Sequence, residues 1–266
     1  TGQHETMTTT TLYLERTSAL HRLNPVTKLV ALLSIILAVF AVPHWWIPLG
    51  IVAVVIVPAA VLGRVGGRLL RLFLILLLPL LVVLFLIQGL FYPDGSTVLW
   101  EWGLAQLTTE GLLFALTIGS RLTALVLGSL VFVLTTDPAR LMSALTQVGM
   151  SPKIAYVISA SLQIIPAFQA RAQSILLAQQ ARGLAIVGSP LKRARALLPL
   201  LGPLILGMIT DVDERSTAME ARAFGATPKP TSLIIVPDPV GERVARWLMF
   251  LSAIAVVVLV VVGVIA

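Results

Sequence analysis

Residues 69–92 read LLRLFLILLLPLLVVLFLIQGLFY, with Arg71 and Gln88 the only strongly polar side chains in the run. The stretch shows no alternation of polar and apolar positions, so it cannot be a half-buried strand, and it is apolar on every side. A helix of this kind has to be surrounded by apolar material. At 1.5 Å per residue its length exceeds the roughly 30 Å of a bilayer's hydrocarbon core. It therefore reads as a transmembrane helix, with Pro79 expected to kink it. Four other runs repeat the reading: residues 26–42 (VTKLVALLSIILAVFAV), 45–62, 111–136 and 247–266. The first is short, and Lys28 near its start is expected to snorkel toward headgroups.

Composition agrees. The chain has 266 residues, 58% hydrophobic and only 12% charged, with a mean hydropathy of +0.98. A soluble domain carries about twice that charged fraction, so an ordinary soluble enzyme and a disordered chain are both excluded. The absence of cysteine removes disulfides, thiolate metal sites and a thiol nucleophile. In a membrane protein the net charge of +7 points to topology before nucleic acid. Of the 19 basic residues, 18 fall on one side, in the leader and the start of span one, between spans two and three and in the start of span three, and in the long segment after span four; Arg121 alone lies deep inside a span. The two opposite loops hold no Lys or Arg. The leader and the long segment are therefore expected in the cytoplasm, and the C-terminus outside. The leader is polar, with no apolar stretch before a small-residue cleavage site, so no signal peptide is expected. Met7 reads as the natural start, with residues 1–6 as added residues.

The expected organisation is all-α: a cytoplasmic leader at 1–25, a four-span membrane part at 26–136, a cytoplasmic or interfacial region at 137–243, and a final transmembrane helix at 244–266. Asp137-Pro138 is an N-cap followed by proline at the first helical position, and starts a short amphipathic helix that Gly149 stops. Ser151-Pro152 repeats the signal for a long helix running to Arg182, bent near Pro166. Gly183 and Gly188 end it, and Ser189-Pro190 starts a third helix. Each long helix runs from an apolar stretch to a polar tip, and each tip carries a related tripeptide, Ala181-Arg182-Gly183 and Ala221-Arg222-Ala223. Small neighbours let another backbone come close, and a guanidinium offers a planar fork of donors to carboxylates and carbonyls across an interface. A cation at a helix C-terminus is also favoured by the macrodipole, so a plain surface arginine is the competing reading. The pairing on two helices favours presentation of both tips to one cytoplasmic partner.

Other chemistry is missing. No Gly-x-x-x-x-Gly-Lys-Ser/Thr loop occurs, and His4, His21 and His44 are scattered. No acidic residue lies in the five spans, which speaks against a proton- or sodium-coupled carrier. Arg121 is open to two readings, an anchor for a partner or headgroup and, preferred, a structural arginine bonded to carbonyls. Asp211, Asp213, Glu214 and Glu220 read as local ion pairs with Arg215 and Arg222 rather than as acid–base machinery. The five tryptophans lie near span ends, where such rings settle at the interface.

The leader LHRLNPVTKL (residues 20–29), LTTDPARLMSAL (134–145), MSPKIA (150–155) and IIPAFQARAQSILLAQQARG (164–183), together with the paired tips, resemble the transmembrane T component of energy-coupling factor transporters, the EcfT/CbiQ family. The second tip departs from the family's Ala-Arg-Gly pattern at Ala223. The resemblance implies a non-catalytic scaffold that binds no cofactor itself. Two ABC-type ATPases would hydrolyse ATP with magnesium, each with a groove for one of Arg182 and Arg222. A membrane-embedded S component, which selects the vitamin or metal ion, would rest on apolar stretches of the two long helices. Val157, Leu162, Leu197, Leu201, Leu204 and Met208 are candidates for that surface, and the same side chains could instead pack the helices together. No nucleic-acid partner is implied. The rival readings are a free-standing carrier or channel, whose pathway only Arg121 and Gln88 could line, and a membrane-bound enzyme, which lacks a convergent nucleophile, base or metal set.

Overall fold

The structure is a computed structural model and describes residues 18–93, 97–102, 105–184, 190–226 and 235–263, with the backbone alone at 19, 100–102, 105 and 190–197. The leader before Ser18 and the Gly188-Ser189 boundary lie outside the described residues.

All five expected spans are helices. After a single turn, α1 (Ala19–Arg22), come α2 (Pro25–Ala41), α3 (Trp46–Leu62), α4 (Gly66–Leu90) and α5 (Thr109–Thr135). The chain continues through α6 (Pro138–Val148), α7 (Pro152–Ala181) and α8 (Pro190–Ala221) to α9 (Val240–Val261). Helices α4, α5 and α9 are long and apolar enough to cross a membrane, while α2 and α3 are shorter apolar helices. At 17 residues, α2 is about 25 Å long. Its side chains Leu33, Leu37 and Phe40 are exposed, as are Leu74, Ile75, Leu80, Leu86 and Ile87 on α4. A bilayer is the solvent that suits such surfaces. The protein is an all-α membrane protein.

Around Pro79, where a kink is expected, α4 departs from regular α-helix. Just ahead of Pro79, residues Phe73–Leu77 widen into a π turn, and the Leu78 N–H bonds back to Phe73 O. Helix α3 repeats the device ahead of Pro58, with a π turn over Val52–Ile56 and the Val57 N–H on Val52 O. A proline lacks the N–H its turn needs and its ring crowds the carbonyl four residues back. A widened turn relieves that crowding without breaking the helix. Two further details differ from expectation. The loop between α4 and α5 contains an antiparallel hairpin of β1 (Val98–Trp102) and β2 (Ala105–Thr108). The final helix also begins at Val240, earlier than hydropathy suggests, because Pro239 opens it and Glu242, Arg243 and Arg246 continue as helix before the apolar run. Hydropathy marks where a helix meets lipid, not where it starts.

Two compact units emerge, residues 1–144 with 236–266, and residues 145–235. The core of the first gathers Val39 of α2, Ile56 and Ala60 of α3, Leu69 of α4, and Ala124 and Leu134 of α5. Its polar ties sit where α2 begins. Asn24 caps α2 through a bond from Val26 N at 2.9 Å, while its backbone N–H reaches Glu242 Oε2 at 2.9 Å and its amide reaches the Pro237 carbonyl at 3.1 Å. Lys28 does not snorkel. It is buried, and its Nζ donates to the Thr135 carbonyl at 2.7 Å. Just before α9, Asp238 receives Arg246 on both oxygens, at 2.7 and 2.8 Å. That bond, helped by Arg243, holds the carboxyl below its ordinary range. Arg121 Nη2 donates to the Val42 carbonyl at 2.9 Å, as the structural reading expects.

Candidate functional site

In the second unit, α7 and α8 lie side by side and run in opposite directions. Tyr156, near the start of α7, packs against Phe224, just past the end of α8, with ring centroids 5.2 Å apart and the rings tilted by 55°. Further along α7, Arg171 makes a two-pronged contact with Asp211 of α8, Nη2 to Oδ1 at 2.8 Å and Nη1 to Oδ2 at 2.6 Å. The pairing raises the Arg171 guanidinium above its ordinary value, chiefly through the Asp211 bond. Gly207 lets the Arg171 side chain lie close to α8, because a Cβ there would stand 2.9 Å from a guanidinium nitrogen.

Both long helices close with the same backbone device. At the end of α7 the Gly183 N–H bonds to Gln180 O at 3.0 Å and the Leu184 N–H to Gln179 O at 3.0 Å. At the end of α8 the Ala223 N–H bonds to Glu220 O at 2.9 Å and the Phe224 N–H to Met219 O at 3.0 Å. These paired returns are Schellman closures, which satisfy helix carbonyls by turning one residue into the left-handed region. Gly183 does so at φ +93 and Ala223 at φ +53. The tripeptides thus hold equivalent places. Ala181 and Ala221 are the last residues of their helices, Arg182 and Arg222 come next, and Gly183 and Ala223 make the left-handed turn. All six are exposed. The similarity of the tips is therefore one of geometry as well as of letters.

The antiparallel arrangement sends the two arginines to opposite ends of the pair. Arg222 lies near the level of Tyr156, and Arg182 lies some two dozen residues further along α7, a separation on the order of 35 Å at helical rise. A single compact groove cannot take both, contrary to the expectation of one shared partner surface. The site is a two-ended rod with an exposed arginine at each end.

The apolar candidates divide. Val157, Leu162, Leu201 and Met208 are exposed, whereas Leu204 is 7% exposed and offers no free surface. Leu197 lies outside the residues whose side chains are described. Exposed neighbours that sequence reasoning did not single out, Ile158, Ile165 and Phe168 on α7 and Ile205 and Ile209 on α8, extend the same surface. They lie within or beside the two apolar stretches, so the signal was in the run as a whole rather than in any one residue. Asp211, expected among local ion pairs on its own helix, bonds across to α7 instead.

A family model described as a cobalt transport protein, CbiQ, matches residues 16–233. The energy-coupling factor transporter transmembrane protein EcfT of Limosilactobacillus fermentum is 34% identical over 220 residues, which covers 78% of this chain and 80% of the relative. This chain belongs to the CbiQ/EcfT family. Relatives of the same name from Acidaminococcus fermentans and Listeria innocua are each 30% identical, the first over 223 residues (80% of this chain, 81% of the relative) and the second over 226 (80% and 83%). The CbiQ/EcfT match takes in both arginine tips, the short helix α6 and four of the five apolar helices, and it stops before α9.

Proposed function

We propose that this chain is the energy-coupling scaffold of an ECF-type importer. It carries the motion of two ABC-type ATPases to a membrane-embedded S component that captures a vitamin or transition-metal ion. The observation that supports it best is the pair of matching Schellman tips at opposite ends of one antiparallel helix pair, each bearing an exposed arginine. A dimeric motor offers two equivalent sockets, and a rod with equivalent ends fits one end into each. Charge-assisted bonds from a guanidinium fork are strong and directional enough to keep such joints closed while they move. Arg171 and Asp211 join the two rods, so a push on one is passed to the other. The exposed apolar side chains of α7 and α8, Val157, Leu162, Leu201 and Met208 with their neighbours, form a surface on which the S component tilts.

In this reading the chain performs no chemistry. ATP and magnesium belong to the ATPases, and the S component chooses the substrate. The excess of Lys and Arg on one side of the spans orients the leader and the α6–α8 region to the cytoplasm and the C-terminus outward. A carrier or channel is not favoured, because Arg121 spends a guanidinium nitrogen on the Val42 carbonyl rather than lining a pathway. Replacing Arg182 and Arg222 together with Glu tests the proposal in cells carrying the whole transporter. Substrate uptake is expected to fall to background while the protein still inserts in the membrane at the normal level. Uptake at the wild-type rate would contradict it.

A further inference from the structure

The first unit contains a partly open cavity of about 340 Å³, a size typical of sites that take a small ligand. Helices α2, α3, α5 and α9 wall it, with Leu20 and Leu23 from the chain ahead of α2. Its body is aliphatic, represented by Leu32, Ile35, Ile56 and Met249. Among the described residues, the only polar side chains lining it are Thr27, Lys28, Thr135 and Glu242, which belong to the first turn of α2, the last turn of α5 and the first turn of α9. One end is therefore polar and charged, and the rest is hydrocarbon.

Lys28 has bonding capacity left over at the polar end. An ammonium has three N–H donors. Lys28 is only 9% exposed, gives one donor to the Thr135 carbonyl, and forms no ion pair among the described residues. Glu242 Oε2 is already held by Asn24 N at 2.9 Å and by Thr27 Oγ1 at 3.0 Å. A buried cation with donors to spare is stabilised by an oxyanion.

We propose that this cavity binds one anionic phospholipid, with an acyl chain in the aliphatic body and a phosphate oxygen on Lys28. The polar end lies at helix termini and the body extends toward mid-helix, the direction a lipid takes in its own leaflet. The lipid joins α9 to α2, α3 and α5, and so fastens the last helix to the bundle. Four like-directed observations carry this: the size of the cavity, its aliphatic lining, the charged side chains gathered at one end, and the unspent donors of Lys28.

The test uses the full-length chain, delipidated in mild detergent and offered phosphatidylglycerol or phosphatidylcholine with identical acyl chains, with binding read by native mass spectrometry. One phosphatidylglycerol per chain is expected, preferred over phosphatidylcholine by roughly tenfold, because both lipids carry the phosphate but choline adds a second cation beside Lys28. Lys28→Gln should remove the preference. Ala31→Phe, which places a ring in the cavity body where Ala31 now lines it, should remove retention. Phosphatidylglycerol with a photoreactive acyl terminus should label α2, α3, α5 or α9 in the wild-type chain, a result that needs no variant to fold. Equal retention of both lipids, retention unchanged in both variants, labelling confined to α4, or a free fatty acid preferred over phosphatidylglycerol would each overturn the proposal.

Discussion

Ala223 occupies the left-handed turn that Gly183 occupies at the other tip, and it pays a conformational cost that glycine does not. An L-residue in that region is disfavoured by about 1–2 kcal/mol. Ala223→Gly should therefore stabilise the end of α8 by about 1 kcal/mol, and Gly183→Ala should destabilise the end of α7 by a similar amount. Chemical denaturation of the detergent-solubilised protein measures both, and shifts of the opposite sign would refute the equivalence of the tips. The departure at Ala223 was visible in the sequence, but its meaning was not, since letters do not reveal which residue of a tip turns left-handed. Lys28 teaches the same lesson. A lysine at the start of an apolar run suggests a side chain reaching for water, whereas here the end of α5 brings the Thr135 carbonyl within 2.7 Å and keeps the ammonium inside. Partners a hundred residues away cannot be read from local pattern.

At the scale of elements, apolar runs and capping signals located the helices well, because burial in lipid and proline at the first helical turn are both local physics. Asp137 caps α6 as expected, taking a bond from Ala139 N at 3.1 Å. Ser151 precedes α7 without a side-chain cap bond, and Pro152 at the first position makes the start alone. Pro166 lies inside α7, which continues past it to Ala181, and α8 likewise continues past Pro199 and Pro203. The β1–β2 hairpin was missed because its strands are only five and four residues long, too short for a clear period of two. Close approach between elements also escapes the sequence. A Cβ on Gly111 of α5 would run into the Gln88 carbonyl of α4 and stand 2.8 Å from Tyr92 Cβ, while one on Gly67 would meet nothing within 4 Å. Gly111→Ala should accordingly cost about 1–3 kcal/mol by overpacking, seen as a lowered Tm, and Gly67→Ala should leave the Tm unchanged or slightly raised. Equal behaviour of the two variants would refute a tight α4–α5 contact.

The whole molecule is governed by the division between a lipid-facing bundle and a polar-tipped helix pair. The first was legible from composition, since 58% hydrophobic residues in unbroken runs leave few alternatives. The second was legible as two long helices with related ends. Their antiparallel pairing was not, because it depends on the Tyr156–Phe224 contact and the Arg171–Asp211 bond. That pairing leaves no single compact surface for both tips and accords with the arrangement the family resemblance implies, one groove for each arginine. Affinity purification of this chain, co-expressed with the ABC-type ATPases of an ECF transporter, tests the point most directly. The account predicts two ATPase subunits retained per wild-type chain, about one when either Arg182 or Arg222 is changed to Glu, and none when both are changed. An ATPase pair held undiminished by the double variant, or no ATPase held by the wild-type chain, would contradict it.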